Sequence, residues 1–286
     1  DTLIAMLETD GIEVPALLKK AAGKSFYKIE DGTLFFLGFD GKYAKVVRPD
    51  GVLLLEDIKR KSEPVVGNRA ASLWDIGDGV ACLEFHTKMN ALDADVLGMI
   101  KTSIRTVKKQ FKAMVIYNEG SNSSAGANLG LALFAANIAA WPEIENLVET
   151  GQETYKALKY SPFPVVGAPS GMALGGGCEV LLHCDAVQAH GETYIGLVEP
   201  GVGLIPAWGG CKEMIRRWSE NPKFPKGPMA PSAKAFEIIS VATVAKSAME
   251  AKANLAFRPE DGILMNRNRR LAAAPYTTPH LPTPLR

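Results

Sequence analysis

Apolar residues return every three to four positions between Ala94 and Phe111, placing Val96, Leu97, Ile100, Ile104 and Val107 on one face, and this spacing predicts a helix. The same period over Ile144–Tyr160 turns Leu147, Val148, Tyr155 and Leu158 inward, and Leu129–Trp141, Gly176–Cys184, Lys212–Trp218 and Ala233–Ser240 read as further helices. Short runs without helical period predict strands at Ser72–Ile76, Val80–Phe85, Ala113–Tyr117, Pro164–Ala168, Ala186–Ala189 and Thr193–Leu197. The first two of these flank Gly77-Asp78-Gly79 and form a hairpin. From about residue 70 onward strand, turn and helix alternate, which is the rhythm of an α/β fold.

Residues 1–60 follow another pattern. Leu3, Met6 and Leu7 have helical spacing, as do Ala16, Leu17 and Leu18 after a turn at Gly11 and Pro15. Then Asp31-Gly32, Asp40-Gly41 and Asp50-Gly51 punctuate short pieces, with strands expected at Leu34–Leu37, Ala44–Val47 and Val52–Leu55. This is a small α+β appendage. A polar stretch from Lys59 to Asn68 gives a linker, bounded at 61–69, before a main domain over 70–270. Residues 271–286 are expected to form a Pro-rich extended tail.

Composition narrows the function classes. The 286 residues are 47% hydrophobic, enough for a sizeable core. A net charge of +1 excludes the strongly basic footprint of a nucleic-acid partner. The run Leu129–Trp141 is too short to span a bilayer, so no membrane partner is expected. Cys82, Cys178, Cys184 and Cys211 form no C-x-x-C pair and read as reduced core thiols of a cytoplasmic protein. No basic region followed by an apolar one marks a signal peptide. The opening Asp1-Thr2-Leu3-Ile4 reads as the middle of a helix, which points to a piece of a longer polypeptide.

Two stretches carry the candidate chemistry. Gly175-Gly176-Gly177-Cys178-Glu179 follows the strand Pro164–Ala168 and opens a helix. Successive glycines cost backbone entropy; close approach of a ligand to the helix N-terminus is one reason for them, and tight helix–sheet packing is another. No Walker or dinucleotide pattern fits. Glu179 lies one turn on, in an otherwise apolar helix, as a catalytic acid or as half of a structural ion pair. Glu199 lies just past an apolar strand, in a Gly- and Pro-punctuated loop, and gains meaning from pairing with Glu179. Ser124-Ala125-Gly126-Ala127-Asn128-Leu129 is either a second amide-presenting loop or simply a flexible one. His86, His183, His190 and His280 show no metal-ligand spacing, so no metal is expected.

These blocks resemble the crotonase (enoyl-CoA hydratase/isomerase) superfamily. His86-Thr87-Lys88-Met89-Asn90-Ala91-Leu92 is similar to its Asn-Ala-Leu segment, and Ser124–Leu129 to its first oxyanion block, with Asn128 where Asp is usual. Gly171–Glu179 and Gly196–Gly210 resemble the next two, and Ser247–Leu255 with Arg258–Gly262 a later region, so the likeness spans about 70–265. It implies an α/β crotonase-like spiral of ββα repeats. It also implies amides of Ala127 and Gly176 as the oxyanion hole, Glu179 and Glu199 as catalytic acids, and Lys88, Asn90, Ala125, Gly126 and Gly175 against the substrate. The implied activity is reversible hydration of a trans-2-enoyl-CoA in β-oxidation, with an acyl-CoA substrate, no cofactor and a homo-oligomeric assembly. Thioester hydrolysis and a non-catalytic acyl-CoA-binding module are the alternatives. In this sequence Pro200 follows Glu199, which predicts an extended Glu199. Lys24–Lys28 after a short helix resembles the end of a 3-hydroxyacyl-CoA dehydrogenase helical domain; NAD would belong to the missing part of that enzyme.

Overall fold

The structure, a computed structural model, describes residues 1–227 and 229–277. The chain divides into two compact units, residues 1–50 with 54–63, and residues 51–53 with 64–286. In the first, helices α1 (Thr2–Thr9) and α2 (Ala16–Ala21) precede a three-stranded antiparallel sheet of β1 (Tyr27–Glu30), β2 (Thr33–Leu37) and β3 (Tyr43–Lys45), and α3 (Leu55–Lys59) closes it. Glu30 pairs with Thr33, so Asp31-Gly32 is a two-residue hairpin loop, with φ of 47° and 68° at its two positions. That double positive φ is what the Asp-Gly dipeptide supplies.

The second unit is built on a seven-stranded sheet of order β12-β10-β8-β7-β6-β5-β4. Its strands are β4 (Val66–Gly67), β5 (Ala71–Asp75), β6 (Val80–Phe85), β7 (Ala113–Ile116), β8 (Val165–Gly167), β10 (Ala186–His190) and β12 (Gly262–Leu264). From β6 to β12 every pairing is parallel; only β4 and β5 join antiparallel. Strands β6, β7 and β8 are buried at every residue, as strands covered on both faces must be, and this explains why their runs are apolar but for Glu84 of β6, which accepts the Trp74 indole N–H. A second, two-stranded parallel sheet pairs β9 (Gly171–Leu174) with β11 (Thr193–Gly196). The chain thus passes from β8 through β9 into α7 (Gly176–Leu182), and from β10 through β11 towards α8 (Gly210–Glu220), so a strand-strand-helix unit recurs.

Helix α4 (Ala94–Gln110) starts at Asp93, whose carboxylate accepts the Val96 amide, and buries Val96, Leu97, Ile100 and Val107. With α6 (Trp141–Lys159) it covers Leu73, Leu83 and Met114 in one core. A second core joins α7, α8, α9 (Met229–Ser240) and α10 (Ala248–Ala253) through Leu182, Ile195, Met214, Ala235 and Phe257. Among the described residues no helix is long and apolar enough to cross a membrane.

The structure departs from the sequence reading in four places. Residues 52–55 are not a strand: Leu54 precedes α3, Glu56 and Asp57 fill its first turn, and Leu55 is fully buried. Within the expected linker, Val66–Gly67 pairs with Leu73 and Ser72. The expected helix 129–141 is split into α5 (Leu129–Asn137) and α6, because Ala139 takes φ 55° and Pro142 begins a new helix. Finally, Arg270–Thr277 is helix α11, not extended chain; the tail and His280 beyond it lie outside the described residues. Pro275 removes one helical hydrogen bond, but full burial of Leu271 and Ala274 on one face holds the helix in place.

Arg270 itself is fully buried. Its Nη1 donates to the Ala168 carbonyl at 2.7 Å, its Nε to Arg267, and its guanidinium lies 4.9 Å from the Tyr117 ring centre. Burial pulls its pKa down to about 10. Arg270→Met keeps the bulk and removes a costly charge, but takes away the donor on a buried carbonyl. We expect a net loss of about 1–3 kcal/mol, read as a lower denaturant midpoint at unchanged slope. An unchanged midpoint would show that the desolvation relief cancels the lost bonds.

Candidate active site

The site grows from the end of β9. Gly175 has φ 53° and ψ −125°, a conformation open to glycine alone, and it turns the strand directly into α7. A Cβ on Gly177 would stand 2.7 Å from the Ser124 Cβ, so the third glycine lets the loop 124–127 lie on the first turn of the helix. The packing reading of the glycines therefore holds, and among the described residues the Gly176 amide, first donor of α7, has no hydrogen-bond partner. The loop runs beside β9, with the Leu174 amide bonded to the Ser124 carbonyl. Ala127 forms a parallel bridge with Leu92, through bonds from Leu92 N to Gly126 O and from Asn128 N to Leu92 O. In that pattern the Ala127 amide points away from Leu92. A Cβ built on Gly126 would lie 3.5 Å from the Gly176 nitrogen, which brings the two amide-bearing segments side by side.

Residues 88–91 lash this loop in place. The Ala125 amide bonds to Met89 O, the Ser124 hydroxyl to Asn90 O, and the Asn90 side-chain amide to Asn122 O. Asn90 and Ala125 are thus gathered at the site, with Gly126 and Gly175 buried beside it, while Lys88 is exposed.

Glu179 is 2% exposed, on the first turn of α7. Its Oε1 accepts the Gly210 amide at 2.8 Å, and the Trp208 amide also bonds to the carboxylate. Burial and then the Glu199 charge push its pKa up to about 8, against the lowering by those two amides. No salt-bridge partner to Glu179 is found among the described residues, so the ion-pair alternative does not hold. Glu199 is half-buried and opens a 3₁₀ turn, Glu199–Val202, with Pro200 second. This corrects the extended conformation expected before proline. The Leu204 amide bonding back to the Glu199 carbonyl holds the turn. Burial raises the Glu199 pKa, and its buried Oε2 has no hydrogen-bond partner among the described residues. Its Oε1 would lie 3.2 Å from a Cβ on Gly175, so this carboxylate faces the turn that presents the Gly176 amide.

Sequence reasoning did not single out the supports beneath this arrangement. The Tyr155 hydroxyl donates to the Gly176 carbonyl at 3.0 Å, the Trp208 ring packs edge-on to Tyr155, and His183 Nδ1 lies 2.7 Å from the Glu179 carbonyl. Tyr155 was legible as inward-facing; its bond to a backbone carbonyl was not. Among the described residues no cluster of His, Cys, Asp and Glu could hold a metal.

Residues 75–221 match the enoyl-CoA hydratase/isomerase family. A Bacillus subtilis protein named "Probable 3-hydroxyacyl-CoA dehydrogenase" is 41% identical over 212 residues, covering 73% of this chain and 27% of the relative. A crotonyl-CoA hydratase of Syntrophomonas wolfei is 33% identical over 131 residues, 45% of this chain and 49% of that one. The chain spans about a quarter of the length of the first curated relatives it matches. The crystal structure of an enoyl-CoA hydratase from Bacillus anthracis shares the fold with a TM-score of 0.60 at 21% identity, over 73% of this chain and 75% of that one. With the parallel-rich sheet and the strand-strand-helix repeat already described, these matches establish that the chain belongs to the enoyl-CoA hydratase/isomerase family.

Proposed function

We propose that this chain carries an enoyl-CoA hydratase module, adding water reversibly across a trans-2-enoyl-CoA to give a 3-hydroxyacyl-CoA. The observation that carries the reading is the pair of carboxylates, Glu179 and Glu199, in electrostatic contact beside two outward amides, Ala127 and Gly176. The amides take the thioester oxygen. Glu199, with its open Oε2, accepts a proton from water as the oxygen attacks the β-carbon. The electron pair of the double bond moves onto the thioester oxygen, where two N–H donors and the N-terminus of α7 stabilise it. Glu179, which keeps its proton to about pH 8, delivers it to the α-carbon. The proton taken by Glu199 returns to Glu179 through bound water, so the net addition is H and OH. Because the Glu199 charge helps to keep the proton on Glu179, the two acids can divide the work of acid and base. In the same proposal Lys88, Asn90, Ala125, Gly126 and Gly175 border the acyl-CoA.

The wider protein belongs to the proposal too. Residues 1–60 would be the end of a dehydrogenase helical domain, 61–69 a linker and 70–270 the hydratase, in a cytoplasmic homo-oligomer whose NAD sits elsewhere on the longer chain. The name of the Bacillus relative and the division into two compact units support this. The test follows crotonyl-CoA by its enoyl absorbance and 3-hydroxybutyryl-CoA by free thiol release. Loss of enoyl absorbance without thiol is expected. Thiol release would favour the hydrolase, and CoA-ester binding with no turnover in the full-length protein would favour a non-catalytic module.

A further inference from the structure

Glu213 is fully buried, yet the reaction above gives it no part. It lies in the first turn of α8, one helical turn after Gly209, whose carbonyl its amide bonds at 2.9 Å. Its carboxylate gathers a shell from three elements: Lys159 of α6 at 2.5 Å, Lys212 and Arg216 of α8 at 3.1 Å each, and His183 at the end of α7 at 3.8 Å. Burial alone would raise its pKa, but Lys159, His183 and Lys212 hold it down to about 2. Burial lowers the Lys159 ammonium even beside this partner.

The same shell touches the acid at the reaction centre. His183 Nδ1 faces the Glu179 carbonyl at 2.7 Å; a carbonyl only accepts, so the proton sits on Nδ1. Burial lowers the His183 pKa to about 4, so the ring is neutral. Its other edge lies against Gly209, where a Cβ would come within 2.8 Å of Cε1 and Nε2. The next residue, Gly210, donates its amide to Glu179 Oε1. The imidazole thus packs on Gly209, and the helical turn that carries the buried anion begins at the Gly209-Gly210 step that bonds the reacting carboxyl.

We propose that Glu213 is a positioning residue for Glu179: by tying the first turn of α8 to α6 through Lys159, it holds the Gly210 amide on the acid. This rests on Glu179 being the proton donor proposed above. Besides the Gly210 amide, the groups that act on the Glu179 carboxyl are the Glu199 charge from the 3₁₀ turn and the Trp208 amide; Tyr155 of α6, Cys178 of its own helix, Cys211 of α8 and the His183 ring stand around it uncharged. Of these only His183 also faces Glu213, and without that anion its ring stays neutral, so a rise in the Glu179 pKa reads the loss of the amide contact.

The test is Glu213→Gln in the whole protein, with two readouts. Carboxyl infrared difference spectra, taken against Glu179→Gln, report the titration of Glu179 without turnover; the pH profile of kcat/KM for crotonyl-CoA reports it through catalysis. Loss of one hydrogen bond to the carboxylate is expected to raise the Glu179 pKa by about one unit and to lower kcat with KM little changed. Glu220→Gln, which removes only the outer partner of Arg216 on the same helix, is expected to leave both readouts at wild-type values. A folded Glu213→Gln protein whose Glu179 titrates as in wild type overturns the proposal, whatever its rate. Should that variant not fold, Lys159→Met decides in the same spectra: a smaller upward shift supports the role, and none overturns it. A wild type that hydrates nothing would refute the proposed activity, while the infrared titration would still judge the positioning.

Discussion

Glu179→Gln is expected to lower crotonyl-CoA hydration by roughly 10²–10⁴-fold, the usual worth of a positioned proton donor, with KM little altered. Glutamine keeps one side-chain oxygen to accept the Gly210 amide, so the loss falls chiefly on the proton. Wild-type turnover would remove Glu179 from the mechanism. The same substitution has a second, opposite effect on stability. Glu179 has its folded pKa raised to about 8 from an ordinary 4.5. A carboxyl raised on folding holds its proton in the native state after the unfolded chain has lost it. Stability therefore falls as pH climbs from about 4.5 to about 8 and stays lowered above that. The full cost is at most about 5 kcal/mol, taking each unit at about 1.4 kcal/mol. Glu179→Gln should abolish the fall, so its melting temperature should exceed that of wild type at pH 9 and approach it at pH 5. Glu199→Gln should recover only part of the difference, since burial is the larger cause and the Glu199 charge the second. A Glu179→Gln protein that melts with the same pH dependence as wild type would mean that the acid is not buried as the structure has it.

What the sequence made legible is what local chemistry alone decides. Asp31-Gly32 announces a hairpin because few other dipeptides take two positive φ angles. The inward face of α4 follows from a period, and the apolar runs of β6, β7 and β8, broken only by Glu84 in β6, follow from burial on both sides. The acids and glycines of the site stood out because a carboxylate in an apolar helix and successive glycines are both costly without a use. What stayed hidden depends on distant partners. Strand β9 is Gly-Met-Ala-Leu, without alternation, and is a strand only because β11 and the 124–127 loop lie on either side of it. Helix α11 carries a proline and is held by the burial of Leu271 and Ala274, which no propensity foretells. Val52–Leu55 reads as a strand by composition, yet Leu55 is the first residue of α3 and fully buried. The Gly210 and Trp208 amides on Glu179 are backbone groups, so side-chain chemistry could not have pointed to them.

Gly151 is the sharpest case, and replacing it should have a large effect. It sits inside α6, where glycine costs about 1 kcal/mol against alanine, so a propensity argument makes Gly151→Ala stabilising. The structure predicts the reverse. A Cβ there would lie 2.1 Å from Trp208 Nε1 and 2.3 Å from its Cδ1. The indole cannot retreat: it is 6% exposed, its edge meets Tyr155, and its Cζ3 stands 2.9 Å from where a Cβ on Gly176 would be. Overpacking a filled core costs about 1–3 kcal/mol, and so severe an overlap belongs at the upper end, more than the helical gain returns. The displaced ring would press on Gly176, whose amide is the proposed oxyanion donor. A shift there of about 1 Å can cost roughly 10²-fold in rate. Gly151→Ala is therefore expected to lower both the denaturant midpoint and kcat. Adding Trp208→Phe should restore part of each, since the smaller ring vacates the space that the new methyl needs. Measured as a double-mutant cycle, the two changes should be strongly non-additive. A Gly151→Ala protein with raised stability and full turnover would show that the indole does not fill the space between α6 and the helix that carries the reacting acid.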